Sequence, residues 1–451
     1  MKLLLSLHFF LFPFALVMGQ KSILDEYIEI GFQHNIVLQQ KSISVEKALL
    51  SLQSAQSLYQ PTVAIQGAYQ TGEGGRSISF PVGDMLNPVY ATLNQLTKSN
   101  AFPQIANVET NFFPRNFYDV KLTSVMPIYN RDISINKEIQ SQTLGIQKTD
   151  IQVYKRELAK NIKLAYLTYL MALKSIDIYQ NGLILAQEGK KINEKLLSNG
   201  KGLPAYILRS ENEIVQLVSQ ISEAERQVES AKMYFNFLLN REFPTEINTK
   251  FDEQQALDIL KKSLWADIDQ REELSLLKQA ISLQQSMVKM NESFYLPKIN
   301  GYLNVGSQSS DWDLNQKSTY YLLGMQLDVP IFSGKRNLNK IKQSIMDVDL
   351  AKKSLDLTHK QVSLALQMAQ KNLSQTWLAF RASQKQIDVA NTYQRLIEKG
   401  YREGVNTYIE TLDARNQWTN AQLLLNLNQF KILIAAAQVE RESASYPLKN
   451  D

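Results

Sequence analysis

No cysteine occurs in this chain of 451 residues, which excludes disulfides, thiolate metal sites, cysteine nucleophiles and acylation of a lipobox cysteine. Histidine is nearly as scarce: His8, His34 and His359 are the three, and the last two lie on helical patterns without metal-ligand spacing. The chain contains no G-x-S-x-G, no Walker loop and no G-x-G-x-x-G, and Gly72-Glu73-Gly74-Gly75 leads into neither a helix nor phosphate-binding residues. The expectation is therefore a protein that is not an enzyme, with no catalytic residue, cofactor or metal. The net charge of +5 is spread without like-charge runs or aromatic-interleaved basic patches, so nucleic acid is not an expected partner. Beyond residue 19 no stretch of 18 apolar residues occurs. Any passage through a membrane must then use strands. A Pro/Gly/Ser-rich linker is also missing, which favours one body over separate domains.

What is present is a leader-like start and a duplication. Lys2, the apolar run Leu3 to Val17 and the Val17-Met18-Gly19 site predict a signal peptide over 1–19. Further on, Ser124-Val125-Met126-Pro127-Ile128-Tyr129-Asn130 returns as Leu327-Asp328-Val329-Pro330-Ile331-Phe332-Ser333. Gly202-Leu203-Pro204-Ala205-Tyr206-Ile207 returns as Gly404-Val405-Asn406-Thr407-Tyr408-Ile409. The offsets, 124 to 327 and 202 to 404, are nearly equal, so two long segments match almost without gaps. Tyr59-Gln60-Pro61 and Tyr295-Leu296-Pro297 are farther apart, which places an insertion of about 33 residues in the first copy. A repeat this long is one large half-structure built twice, not a solenoid unit.

Four segments alternate with period two, the length and pattern of tilted membrane strands. Val63, Ile65 and Tyr69 oppose Gln66 and Gln70; Val120 and Leu122 interrupt polar neighbours within 117–125; Ile299, Leu303 and Val305 oppose Asn300, Asn304 and Gln308; Tyr321, Leu323, Met325, Leu327 and Val329 oppose Gly324, Gln326 and Asp328. A soluble sheet with one wet face alternates the same way, and the strands alone leave both readings open. Helical patterns cover 22–58, 271–294, 132–199 and 336–400, with return helices at 205–240 and 406–440. A helix of about 65 residues would be on the order of 100 Å long. The first return helix carries a heptad seam at Ile207, Ser210, Ile214, Leu217, Ile221, Ala224, Val228, Ala231, Phe235 and Leu238. The insertion, about 71–114, reads as a long loop with a short helix at 89–96. Glu410 and Asp413, three apart on a helix, share one face. Around a symmetry axis such a pair would form an acidic ring of the kind that favours cations in pores.

At these positions the chain resembles the TolC-like outer membrane efflux proteins, over about 22–440. The resemblance rests on the helix-to-strand junctions at Pro61 and Pro297, the strand-to-helix turns at Pro127 and Pro330, and Gly400-Tyr401-Arg402-Glu403-Gly404 followed by Ile409-Glu410-Thr411-Leu412-Asp413-Ala414. It implies an α+β membrane protein with two internal repeats. Four transmembrane strands per chain would contribute to a trimeric 12-stranded β-barrel continuous with a long periplasmic α-helical coiled-coil barrel. The implied layout is a first repeat over 20–240 with an extracellular loop at 71–114, an equatorial segment at 241–270, a second repeat over 271–440 and a periplasmic tail at 441–451. The implied function is the outer membrane channel-tunnel of a tripartite efflux or type I secretion system. Its implied partners are a homotrimer, outer membrane lipid, a periplasmic adaptor (membrane fusion protein) and an inner-membrane transporter of RND, ABC or MFS type. Glu410, Asp413 and Tyr401 fall at the family's periplasmic entrance constriction, and Gly202 and Gly404 at the helix-hairpin tips. Asn406 and Leu208 stand where the family can place a closing arginine and aspartate. The alternatives are a periplasmic adaptor and an exported soluble coiled-coil scaffold.

Overall fold

Asn35 breaks what the pattern predicts as one helix over 22–58. α1 (Ile23–His34) and α2 (Ile36–Ser57) meet at this residue, whose backbone is extended at φ −63° and ψ 125°. Its side-chain oxygen accepts from the backbone N–H of Val37 (3.0 Å) and Leu38 (3.2 Å), which caps α2, while its amide donates to the Leu238 carbonyl (2.9 Å). The computed structural model describes residues 22–260 and 271–448, apart from 114, 311, 313 and 314. The leader expected at 1–19, part of the 241–270 segment and the end of the tail lie outside the described residues.

The elements that follow are β1 (Thr62–Gln70), β2 (Ser77–Phe80), α3 (Val82–Thr97), β3 (Val108–Asn111), β4 (Phe117–Tyr129), α4 (Arg131–Ser198) and α5 (Pro204–Leu238). After them come α6 (Glu253–Leu260), α7 (Glu272–Glu292), β5 (Lys298–Ser309), β6 (Thr319–Asp328), α8 (Arg336–Arg402) and α9 (Tyr408–Glu442). Two hairpins of long helices result, α4 with α5 and α8 with α9, of 68 and 35 residues and of 67 and 35 residues. None of the described helices is long and apolar enough to cross a membrane.

The chain forms two compact units. The helical one comprises the described residues of Met1–Lys47, Leu144–Ile281 and Asp349–Asp451. Its core gathers around Tyr166 and Phe235, both fully buried, with Tyr27 set edge-on to Phe235 at 4.9 Å. Fully burying a side chain of this kind stabilises by about 1.5–3 kcal/mol. The hydroxyls of both tyrosines are used on one residue: Tyr166 donates to the Asn248 carbonyl and Tyr27 accepts the Asn248 N–H, each at 2.8 Å. Along α8 the buried positions Val362, Leu366, Ala369, Leu373, Phe380, Ser383 and Ala390 keep steps of three, four and seven, a coiled-coil seam.

The second unit holds the sheet, in the order β1-β4-β5-β6, every neighbouring pair antiparallel. Register fixes which side chains share a face. Ile65 pairs with Leu122, Leu122 with Val305, and Val305 with Tyr321, so one face carries an apolar row. The same face carries Val63, Leu303, Leu323, Met325 and Leu327, and these apolar side chains are exposed: Ile65 79%, Tyr321 79%, Leu323 73%. The other face carries Gln66, Lys121, Thr123, Asn300, Asn304 and Gln326.

Two expectations need correcting. Pro127 is not in a strand-to-helix turn: β4 runs through it to Tyr129, and the ladder shifts between Pro127 and Tyr129, with Ile128 as the extra residue. A bulge suits a residue that has no N–H to give. The turn falls at Asn130, whose side chain accepts from the Asp132 N–H at 3.1 Å. The segment 71–114 is not a loop with a short helix, because β2 pairs with β3 and α3 spans 16 residues, Pro88 included. Pro88 is the seventh residue of α3, past the first turn, so the helix forgoes the bond that an N–H there would give the Asp84 carbonyl. Pro61, Pro297 and Pro330 lie in connections, just before β1, just before β5 and just after β6.

Because Asn35 both caps α2 and satisfies the Leu238 carbonyl, Asn35→Ala should lower stability by about 2–3 kcal/mol. Denaturant titration in detergent checks this; a loss within about 0.5 kcal/mol would place the break elsewhere.

Candidate functional site at the hairpin tips

Both long helices end in turns closed by backbone hydrogen bonds. In the first hairpin the Lys201 N–H donates to the Leu196 carbonyl (2.8 Å) and that of Gly200 to Leu197 (2.9 Å). Gly200, not Gly202, has the left-handed backbone here; Gly202 packs against the Leu197 backbone. In the second hairpin the left-handed residue is Gly404, at φ +78°. Its N–H donates to Tyr401 (3.1 Å), and that of Val405 to Gly400 (2.8 Å). Pro204 opens α5 at its first helical position, and Thr407 opens α9.

The acidic pair is exposed at the start of α9. Glu410 completes a capping box, accepting from the Thr407 N–H (2.7 Å) and the Asn406 amide (3.3 Å), while the Thr407 hydroxyl accepts from the Glu410 N–H (3.3 Å). The Thr407 backbone N–H, then its hydroxyl and the Asn406 amide, hold the Glu410 carboxyl below the usual glutamate range. Asp413 accepts from Gln417 at 2.8 Å. Neither carboxylate has a cationic partner among the described residues. Leu208 is exposed and Asn406 reaches Glu410, so no charge pair forms at these two positions.

A charge pair does form nearby, and sequence reasoning missed it. Arg415 on α9 donates to Glu213 on α5 at 2.8 Å, with both side chains under 10% exposed. Its second nitrogen donates to the Leu185 carbonyl of α4 at 3.0 Å. Gly189 makes the room, since a Cβ there would sit 2.4 Å from the guanidinium. Tyr408, fully buried, places its hydroxyl 3.1 Å from Arg415, 2.8 Å from the Ser210 hydroxyl and 3.4 Å from Glu213. Asn193 on α4 donates to Ser210 (3.0 Å) and accepts from Tyr401 (2.5 Å), bringing in α8. All four long helices are therefore joined by one buried polar network. Tyr401, placed by the resemblance at a constriction, spends its hydroxyl inside this network.

The network was hard to read because a heptad seam accepts steps of three or four. The heptad spacing predicts Ile214 as the seam residue after Ser210, whereas Glu213 is buried and Ile214 is half-buried. The available signal was a second one: Arg415 lies seven residues after Tyr408, two turns along the same face. Electrostatically the site is under tension. Burial pushes the Glu213 carboxyl above its ordinary 4.5, and Arg415 and the Tyr408 hydroxyl offset this only in part. Burial likewise raises Tyr408 and Tyr401.

Among known proteins, residues 268–442 match a family described as outer membrane efflux protein. Over 294 residues the chain is 22% identical to the alkaline protease secretion protein AprF of Pseudomonas aeruginosa, covering 63% of this chain and 60% of that protein. Over 320 residues it is 22% identical to the outer membrane protein TolC of Escherichia coli, covering 66% and 63%. The matches thus span less than two thirds of these relatives. Solved structures cover more. The CusC channel superimposes with a TM-score of 0.75 at 13% identity, over 94% of this chain and 95% of that one. The open MtrE outer membrane channel of Neisseria gonorrhoeae gives 0.72 at 15%, over 93% and 88%. At such identities the likeness is one of fold.

Removing one member of a buried pair strands the other, so Arg415→Leu should cost about 3–5 kcal/mol, and Arg415→Leu with Glu213→Leu should recover most of it. The folded protein holds the Glu213 proton more tightly than the unfolded chain. Its contribution to stability is therefore full below pH 4.5 and is lost as pH rises through the raised value. The wild type should lose melting temperature relative to Glu213→Gln over that interval; parallel curves would contradict the assignment.

Proposed function

We propose that this chain, a TolC-like outer membrane efflux protein located in the outer membrane, is the channel-tunnel of a tripartite efflux or type I secretion system. The observation that carries the reading is the four-stranded sheet. Its apolar face is exposed, and β1 and β6 each have a neighbour on one side only among the described residues. Unpaired backbone groups cost several kcal/mol each in hydrocarbon, so membrane strands must close into a barrel. Single-chain bacterial barrels begin at eight strands. Four strands from each of three chains give twelve, with the apolar face toward lipid and the face of Gln66, Asn304 and Gln326 toward the lumen.

The helices support the same assembly. Besides its buried seam, α8 carries Leu350, Leu357, Leu364 and Leu378, which recur at multiples of seven and are 65%, 58%, 57% and 65% exposed. A second seam left exposed among the described residues fits packing against a neighbouring copy. Three copies would close the hairpins into a periplasmic tunnel and put the 71–114 excursion outside the cell. The tips form the periplasmic entrance, where Glu410 and Asp413 of three chains supply a ring of negative charge. Delivery falls to an inner-membrane transporter and a periplasmic adaptor, and the chain acts as a passive conduit rather than an enzyme. An adaptor or soluble scaffold would leave the apolar sheet face in water, against the usual limit on exposed apolar patches.

Leu323→Arg on the apolar face should destabilise the barrel by about 2–4 kcal/mol and deplete assembled protein in the outer membrane, whereas Gln326→Arg on the opposite face should assemble normally. Unboiled gel electrophoresis of membrane fractions reads both, and equal assembly of the two variants would sink the barrel reading. In planar bilayers, Glu410→Gln with Asp413→Asn should lower cation selectivity. Unchanged selectivity would remove the pair from the pore ring.

A further inference from the structure

α3 is amphipathic the wrong way round for a free-standing protomer. Its polar side is consumed by the strap 101–107. Asn87 donates to the Ile105 carbonyl (3.0 Å) and accepts the Ile105 N–H (2.9 Å), and Asn94 does the same to Phe102 (2.7 and 3.0 Å). Asp84 and Asn107 add a third reciprocal pair, at 3.1 and 2.9 Å. Gly83 lets the strap approach: a Cβ there would sit 2.4 Å from the Ile105 carbonyl. The apolar side is left outward. At about 100° per residue, Val82, Met85, Leu86, Val89, Leu93 and Leu96 fall within an arc of roughly 100°. Met85 is 71% exposed, Val89 52% and Leu96 76%. Scattered exposed apolar residues need no explanation, but a continuous stripe marks an interaction surface.

We infer that this stripe packs against a neighbouring copy of the chain at the outer mouth, an inference that rests on the channel reading above. Two observations select that occupant over lipid. The excursion rises from Gln70, the last residue of β1, and β1 is the sheet edge that a neighbouring copy must pair to close the barrel. The excursion thus begins at the strand that borders the proposed seam between chains. Helices that lie on membranes are rich in Lys and Arg on their polar face, whereas α3 contains neither. Asn87 and Asn94, its side-chain amides nearest the strap, are already bonded there and are not free to meet lipid headgroups. The neighbouring chain supplies the missing apolar partner, and α3 acts as a clasp that adds side-chain burial to the backbone pairing of the strands below.

The absence of native cysteine makes the test direct. Val89→Cys, labelled on intact cells with a benzophenone maleimide and irradiated, should give adducts at the mass of two chains. Cells carrying two differently tagged copies should show both tags in one band. Gln95→Cys, on the flank of α3 away from the stripe, should crosslink several-fold less. Adducts with lipid alone, or equal crosslinking from both positions while unboiled gels still show the assembled species, would overturn the clasp and leave the channel standing. A chain that runs as a monomer in those gels would overturn the channel reading itself, and the clasp with it.

Discussion

A backbone N–H or C=O in hydrocarbon has no water to fall back on, and the design of the sheet follows from how that demand is met. The sheet has apolar side chains where a lipid-facing surface needs them and, among the described residues, unpaired edges where lipid would forbid them. Both cannot hold for an isolated chain in a membrane. The proposed assembly would remove the conflict by turning each edge into a seam. In that assembly the long helices would gain neighbours, giving the exposed leucine stripe of α8 something to bury against.

The helical hairpins face a different difficulty. Coiled-coil seams made of Leu, Ile and Ala are tolerant of slippage, because a shift by a heptad replaces one apolar knob with another. The Arg415–Glu213 pair, with Tyr408, Ser210, Asn193 and Tyr401 around it, is intolerant: any slide leaves a buried charge without its partner. The device costs desolvation energy, visible in the raised Glu213 carboxyl, and in return fixes the register of the four helices at the end where the chain turns back. Outside this buried knot the same tip presents Glu410 and Asp413 to solvent. One charge set is thus buried among the helices, while the other is exposed at the start of α9.

Much of this architecture was legible because it depends on periodicity. Alternation at residues 61–70, 298–308 and 320–329 marks strands whose polar and apolar faces coincide with those of the sheet, and the doubled Pro and Gly punctuation marks where helices and strands change over. What escaped depends on three-dimensional partners. Glu213 could not be told from Ile214 by spacing, and its partner lies 202 residues away. Pro127 reads as a terminator by default, yet a bulge absorbs it within β4. The Gly- and Pro-rich 71–114 segment looks like a loop, while the asparagines that pin α3 to its strap act through side-chain amides that no periodicity reveals.

The central claim is that β1 of one chain pairs with β6 of the next. Its most direct measurement is oxidative crosslinking of the otherwise cysteine-free chain, with one cysteine placed in β1 and one in β6 and the positions scanned along both strands. The account predicts that in-register pairs give a covalent ladder of one, two and three chains that stops at three. Disulfides formed only within single chains, or a ladder that continues past three, would contradict it.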